Sequence, residues 1–479
     1  MKNLHWCLII LICLILSGCD DSFPLEGEMI PQEDVFSGLS RTKIHLDSQD
    51  AAIVAGQLRK GTKSVGTTIS SIIPILDESG TPALYAVNFG GDNGYTIVSA
   101  TKAFYPVLAI VDKGHFDSAL HGTEELLIDE FVHDIVISSK SEDENIRKYA
   151  AAWREFESSF DSSVSSINQT KSGDKFSFIS SSISTWISQG YYVYSIEERP
   201  SGLPESVYNN YLAIAEGLTN PNEDFRYQSF ILVERTRSVY QHGPLLSSEW
   251  GQLKPYNNST PIGGITPWGE VTHTPVGCVA VAMGQIMKYH AWPTSINWSL
   301  IPDVDTDITN TSETQLSNLL LGIGRNVSMD YTQDGSYSSI SRAYSAFRNS
   351  YDYRCDQVDD FNEYDVESSI CRDRPVYLKG QNPLNGEQHA WVADGVISNQ
   401  FAEIFSLRVL SISEPYEFLS PGERYYDTSG SQSIHMNMGD NENQGSVVSG
   451  NGWYYINNNS TNYVYSTNKK MICNIRPNR

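Results

Sequence analysis

The sequence predicts an α+β fold, and three observations carry that prediction. Within residues 278–290 Cys278, Val281, Ala282, Gln285, Ile286 and Tyr289 recur at helical spacing and fall on one face. Residues 83–89 and 94–100 are β-rich runs separated by Gly90-Gly91-Asp92-Asn93, a hairpin signal. Residues 375–379 and 388–396 read as two further strands. A length of 479 residues allows two or three domains. The 40% hydrophobic and 11% aromatic content is enough to fill their cores.

The elements follow in chain order. Lys2 precedes an apolar run over residues 4–16, too short to span a bilayer comfortably and suited to a signal-peptide core. It ends in Leu16-Ser17-Gly18-Cys19, which resembles a bacterial lipobox; residues 1–18 would be removed and Cys19 would carry lipid. Asp20 and Asp21 follow, and acidic residues there are compatible with either surface export or inner-membrane retention. Residues 19–40 read as a tether. Residues 41–235 form a first α+β domain, with a helix over 49–58, the hairpin, a strand over 106–111 and a helical pattern over 124–159. Residues 158–172 are Ser-rich and read as a loop. Residues 176–193 are mixed in pattern, and 200–222 are punctuated by Gly and Pro. Arg235 and Arg237 lie where a processing linker is expected, since exposed basic residues in a linker suit proteolytic nicking. A second domain is expected over 236–479, with helices over 338–348 and 364–372.

The helix near residue 278 has chemical potential. Pro275 and Gly277 make a turn, and Cys278 opens the helix where unpaired N–H groups and the dipole favour negative charge. Ala280 and Gly284 keep its opposite face small, so the helix can be buried all round. A thiol so placed near a His falls to a pKa of roughly 3.5–7.5. A buried core thiol is the competing reading, and the helix alone leaves both open.

Charge and cysteine content exclude some classes. A formal net charge of −24 argues against nucleic-acid binding and against adhesion to anionic membranes through a basic patch. Of seven cysteines, Cys7 and Cys13 lie in the signal segment and Cys19 at the lipobox, which leaves Cys278, Cys355, Cys371 and Cys473. With Cys278 free, at most one disulfide forms among the others. No Cys-x-x-Cys or His-Glu-x-x-His motif occurs. Asp303-Val304-Asp305-Thr306-Asp307 lacks the Gly and distal Glu of a calcium-binding hand, and a solvated acidic loop is the preferred reading. No cofactor or metal is expected.

Gly277-Cys278-Val279-Ala280-Val281-Ala282-Met283-Gly284-Gln285-Ile286-Met287-Lys288-Tyr289-His290 resembles the nucleophile helix of the streptopain family, papain-like cysteine peptidases of bacteria made as inhibited precursors. The stretch around Tyr85 to Ala100, followed by Pro106-Val107-Leu108-Ala109, resembles that family's inhibitory pro-domain. Gln388-His389-Ala390-Trp391-Val392-Ala393-Asp394-Gly395 resembles its Gly-His-Ala-x-Val-x-Asp-Gly motif, with Gln388 in place of Gly. The resemblance implies a papain-like, two-subdomain catalytic domain, its nucleophile helix packed against an antiparallel sheet, over residues 236–479 and a pro-domain over 41–235. It implies Cys278 as nucleophile and His389 as base. Gln252, in the run Gln252-Leu253-Lys254-Pro255-Tyr256-Asn257, would be an oxyanion-hole donor. Asn437 would accept from the imidazole and fix its tautomer. The family's Asn-Trp-Gly-Trp-Gly is here Asn437-Met438-Gly439-Asp440, so the Trp that shields the His–Asn bond is missing. His290 lies roughly 18 Å along the helix from Cys278 at ~1.5 Å per residue, too far to be the base; His273 sits in a turn.

The expected function is a cysteine endopeptidase, made as a zymogen and held at a bacterial cell envelope by lipid on Cys19, or secreted after processing. Its partners would be protein or peptide substrates, its own pro-domain as inhibitor, and a membrane through the anchor; no nucleic acid is expected. A surface-binding lipoprotein on a weakened peptidase scaffold is the alternative, and acyl transfer to amines a third reading.

Overall fold

The structure is a computed structural model, described over residues 38–60, 68–91, 93–117, 123–158, 174–219, 228–266, 269, 271–304, 309–381, 386, 388–422, 424–439, 450–456 and 467–479. The signal segment, Cys19, Asp440 and residues 441–449 lie outside the described residues, as do Asp305 and Asp307.

The N-terminal part begins with α1 (Ser48–Lys60). Asp47 caps it, its Oδ1 accepting the N–H groups of Gln49 at 2.9 Å and Asp50 at 3.1 Å. Ala51, Ala52, Val54 and Ala55 make its buried face. The strands β1 (Ile69–Leu76), β2 (Pro82–Phe89), β3 (Tyr95–Ser99) and β4 (Val107–Val111) form an antiparallel meander under it. The predicted hairpin is β2–β3, with Leu84 opposite Ser99 and Asn88 opposite Tyr95. Gly94 ends its turn at φ +74°, and a Cβ there would lie 1.9 Å from the Val111 carbonyl, so only glycine fits.

The helical pattern over 124–159 is two helices, α2 (Thr123–Ser138) and α3 (Glu142–Trp153). Ser138 and Ser139 turn their hydroxyls back onto the carbonyls of Asp134 and Ile135, and Glu142, Asp143 and Glu144 open the next helix. Two helices lie where the sequence showed only mixed or punctuated pattern: α4 (Asp174–Ser188) and α5 (Glu205–Leu218), with β5 (Tyr192–Ser195) between them.

The expected domain boundary at residues 235 and 236 falls inside β6 (Ser229–His242). This strand pairs with the later β10 from Ser229 opposite Val409 to His242 opposite Val396, and its first half also pairs with β5. Arg235 and Arg237 are not in a linker. Both face Glu155, at 3.6 and 2.8 Å, and Arg237 also bonds Asn399 Oδ1. After the short hairpin of β7 (Ile262–Ile265) and β8 (Val271–His273) come α6 (Cys278–His290), α7 (Asn310–Asn326), α8 (Ile340–Asn349) and α9 (Glu363–Ile370). Strands β9 (Val376–Gln381), β10 (Gln388–Leu410), β11 (Arg424–Asn437), β12 (Gly452–Ile456) and β13 (Thr467–Ile472) complete the main sheet.

That sheet runs β1-β2-β3-β4-β12-β11-β10-β9-β13, antiparallel at each of these pairings. The N-terminal meander joins it edge to edge through β4 and β12, Ile110 lying opposite Trp453. One apolar cluster spans both parts, from Leu39, Val54 and Leu84 to Trp391, Met436 and Met438. A second surrounds α6, with Trp250, Leu320, Phe347, Tyr377 and Val392. The fold is therefore α+β as predicted, with helix α6 against an antiparallel sheet.

Candidate active site

Helix α6 begins at Cys278 because Gly277 holds φ +90°. A Cβ at Gly277 would lie 2.9 Å from the Met329 thioether and 3.0 Å from the Ser336 carbonyl, so no other residue can make this turn unstrained. Residues 278–287 are all buried. Gly284 lets Trp250 and Leu320 approach, since a Cβ would sit 3.0 Å from each.

His389 lies next to the start of β10 and is buried. Its side chain hydrogen-bonds the Cys278 sulfur, and the Ala390 backbone N–H donates to the same sulfur. Burial pushes the Cys278 thiol up. The hydrogen bond and charge of His389, the Ala390 N–H and the charge of Lys379 outweigh it, and the pKa lies below that of an ordinary thiol. The His389 ring stacks on Trp391 at 6.0 Å between centroids and 12° between planes.

The other contact of the imidazole corrects the expectation for Asn437. His389 Nε2 lies 2.9 Å from the backbone carbonyl of Met438, which can only accept. This contact protonates Nε2 and leaves Nδ1 to exchange a proton with the sulfur. The Asn437 side chain turns away from the ring. Its Nδ2 donates to the Ser248 carbonyl at 2.7 Å, and its Oδ1 accepts from Gln285 Nε2 at 2.9 Å. Gln285 Oε1 in turn accepts the Trp250 N–H at 3.1 Å. Asn437 thus braces the backbone that presents the Met438 carbonyl. The physical reason is register: Asn437 pairs with Val392 across the sheet, and both ends of its amide are engaged, by Gln285 and by Ser248. The Met438 side chain is buried in the core, and Trp391 supplies an indole beside the ring where the sequence lacks the family Trp.

Gln252 is tied to the turn before Cys278, its carbonyl accepting the Val276 N–H at 2.9 Å. The remaining histidines contact other groups. His273 Nδ1 is 2.6 Å from the Thr260 carbonyl, His242 Nε2 is 2.9 Å from Asp373, and His290 is the last residue of α6, at its far end. His435 Nδ1 lies 2.6 Å from Asp394 Oδ1, while Asp394 Oδ2 accepts the Leu246 N–H. That buried pair ties the start of the C-terminal part to β10 and β11. Sequence reading missed it, as it missed Gln285; the signal in each case was a polar residue on an otherwise buried face. Cys355, Cys371 and Cys473 are free thiols, as is Cys278. Among the described residues no group of three His, Cys, Asp or Glu is placed to hold a metal ion.

A depressed thiol at the first turn of a buried helix is thus hydrogen-bonded to an imidazole that opens an antiparallel strand, a cysteine–histidine pair. Residues 250–297 and 294–454 match the model of the Peptidase C10 family, and over this span the chain is similar to streptopain-like cysteine peptidases. Streptopain of Streptococcus pyogenes is 27% identical over 198 residues, covering 32% of this chain and 49% of its own length. The thiol protease/hemagglutinin PrtT of Porphyromonas gingivalis is 26% identical over 180 residues, covering 30% of this chain and 20% of its own. The chain thus spans about half the length of the streptopains it matches. A prointerpain A fragment of Prevotella intermedia aligns over 84% of this chain and 97% of its own, with 15% identity and a TM-score of 0.40.

Proposed function

We propose that the chain is a cysteine endopeptidase that hydrolyses protein or peptide substrates. The observation that carries this reading is His389, set between the Cys278 sulfur and the Met438 carbonyl. In the proposed reaction the Cys278 sulfur attacks the scissile carbonyl carbon. His389 carries the thiol proton and passes it to the leaving amine as the C–N bond breaks. Water then adds to the acyl-enzyme with His389 as base, and the sulfur leaves. Gln252 and the Cys278 N–H stabilise the oxyanion, and Asn437 positions the carbonyl that orients His389. Purified protein lacking residues 1–19 should hydrolyse casein under reducing conditions, and Cys278→Ala should abolish this while leaving the fold intact. Hydrolysis that survives the substitution refutes the reading.

The N-terminal part is proposed to hold the enzyme latent. Its support is the shared sheet and core: β4 zips onto β12, and Lys113 pairs with Glu249 at 2.7 Å. Lipid attachment at Cys19, supported by the lipobox sequence, would fix the protein to a cell envelope; Cys19→Ser should then abolish acylation.

A further inference from the structure

Strand β9 carries a lysine where a lysine is costly. Lys379 is 9% exposed, in the core that surrounds α6. Its neighbour two residues back, Tyr377, is fully buried with an unpartnered hydroxyl. The strand register sets Lys379 opposite Ala390, the residue whose N–H donates to the Cys278 sulfur, and sets Gly380 opposite His389. The ammonium donates to the carbonyl of Ser338, in the segment whose Ser336 hydroxyl bonds the Pro275 carbonyl just before Cys278. An ammonium is rarely buried unless paired with an opposite charge, and a backbone carbonyl is not one.

We propose that the partner of Lys379 is the Cys278 thiolate, and that this lysine is a positioning residue for charge: a fixed cation on the sheet side of the sulfur that keeps Cys278 ionised alongside His389. The dependence is mutual. The Lys379 charge lowers the Cys278 pKa, and the thiolate raises that of Lys379 against burial, which pulls it below the ordinary lysine value. The other ionisable groups around Lys379 do not substitute for the sulfur. Tyr377 stays neutral because burial pushes its phenol well above the ordinary value. His389, on β10, carries the same sign when charged. Lys470, opposite Lys379 on β13, is spent on Asp360. The arrangement gives the sulfur two cations of different kinds. His389 must gain and lose its proton in each turnover, whereas Lys379 does not take part in proton transfer and still holds the thiolate when the imidazole is neutral.

The inference rests on the thiolate reading of Cys278, and one experiment separates the two. The full chain is alkylated with iodoacetamide across a pH series, and the Cys278 peptide alone is followed by mass spectrometry, since Cys355, Cys371 and Cys473 are free as well. In the parent, Cys278 should label with a midpoint below that of an ordinary thiol; a midpoint at the ordinary value overturns the thiolate reading itself. Lys379→Met and Lys379→Gln should raise the midpoint by about one pH unit, a shift in keeping with loss of a nearby opposite charge. Lys379→Arg should return most of it. Gln removes the charge and keeps an N–H donor, one bond nearer the backbone, so an unshifted midpoint in Lys379→Gln overturns the inference and leaves the parent reading standing. A shift in Met without one in Gln assigns Lys379 to packing, and overturns it too. Failure of all three variants to fold does the same, because a charge that serves the sulfur is dispensable to folding.

Discussion

Gln285 offers the sharpest test of how the site is held. It is fully buried on α6, two turns beyond Cys278, and its amide does two things at once. Oε1 accepts the Trp250 N–H at 3.1 Å and Nε2 donates to Asn437 Oδ1 at 2.9 Å. Gln285→Met keeps the length and removes both partners. Two buried polar groups are then orphaned, at about 1–3 kcal/mol each, so the substitution should destabilise by about 2–6 kcal/mol. The second effect is on the imidazole. With Asn437 loosened, the Met438 carbonyl is no longer fixed against Nε2, and a hydrogen bond worth about 0.5–1.5 kcal/mol is weakened. A loss of that size slows the reaction by up to about tenfold. Urea denaturation followed by Trp fluorescence reads the first effect, provided the slope is unchanged. Casein hydrolysis well below the transition reads the second. Asn437→Ala in the same background should add less than it does alone, because the pair shares one bond. If Gln285→Met lies within about 0.5 kcal/mol of the parent, the range of an inconsequential surface change, the brace is not what holds the site and the argument fails.

Two other perturbations probe the frame. Glu403 and Arg154 are both buried and joined through Nε and Nη2, with Tyr194 and the Ser201 carbonyl also bonded to the guanidinium; Glu403→Ala leaves that buried cation only the Glu157 carboxylate, 3.9 Å away and already paired with Lys102, and should cost about 3–5 kcal/mol, read as a fall in urea midpoint, whereas a loss below about 1 kcal/mol would contradict a dry ion pair. Burial pushes His290 down to about 4 from an ordinary value of 6.5. The unfolded chain therefore binds the proton first, so stability present above the ordinary His value is lost as pH falls toward 4; His290→Gln should flatten that part of the profile, and an unchanged slope would rule His290 out as its source.

What was legible in the sequence follows from the range of the forces involved. Helix α6 and the β2–β3 hairpin rest on local signals, helical spacing of apolar residues and a Gly-rich turn, and both were found. Strand β10 was read only to Val396, though it runs to Leu410. Its buried face beyond that point alternates Asn399, Phe401, Glu403 and Phe405, and the two polar members break the apolar rhythm. Their partners, Arg237 and Arg154, are supplied from far away in the chain. Helix α5 was hidden by Pro200, Gly202 and Pro204, yet Pro204 is its N-cap, a position where a missing N–H costs nothing. At the site, Cys278 and His389 were legible as residues. The acceptor for Nε2 was not, because a backbone carbonyl has no side-chain signature; it lies between Asn437, held by Gln285 and Ser248, and the left-handed turn at Gly439, φ +71°.

The same long-range contacts move the boundary that latency requires. A cut at Arg235 or Arg237 would fall in a strand hydrogen-bonded along its length to β10, where a protease finds no free extended chain. It would also separate pieces that share cores. Tyr194, Leu203 and Tyr211 pack with Phe405, Leu407 and Val409, and Ile179, Ile183 and Phe230 pack with Leu410. Residues 174–219 and 228–242 therefore belong with the far ends of β10 and β11, not with the N-terminal meander. A removable inhibitory segment, under the proposed latency, is α1 to α3 with β1 to β4, and its release must follow a cut before Asp174. Cutting alone does not free it. The β4–β12 pairing, the common core and the Arg154–Glu403 pair persist after the chain is nicked. Activation is then a dissociation governed by those contacts, and Glu403→Ala should hasten it as well as lower stability.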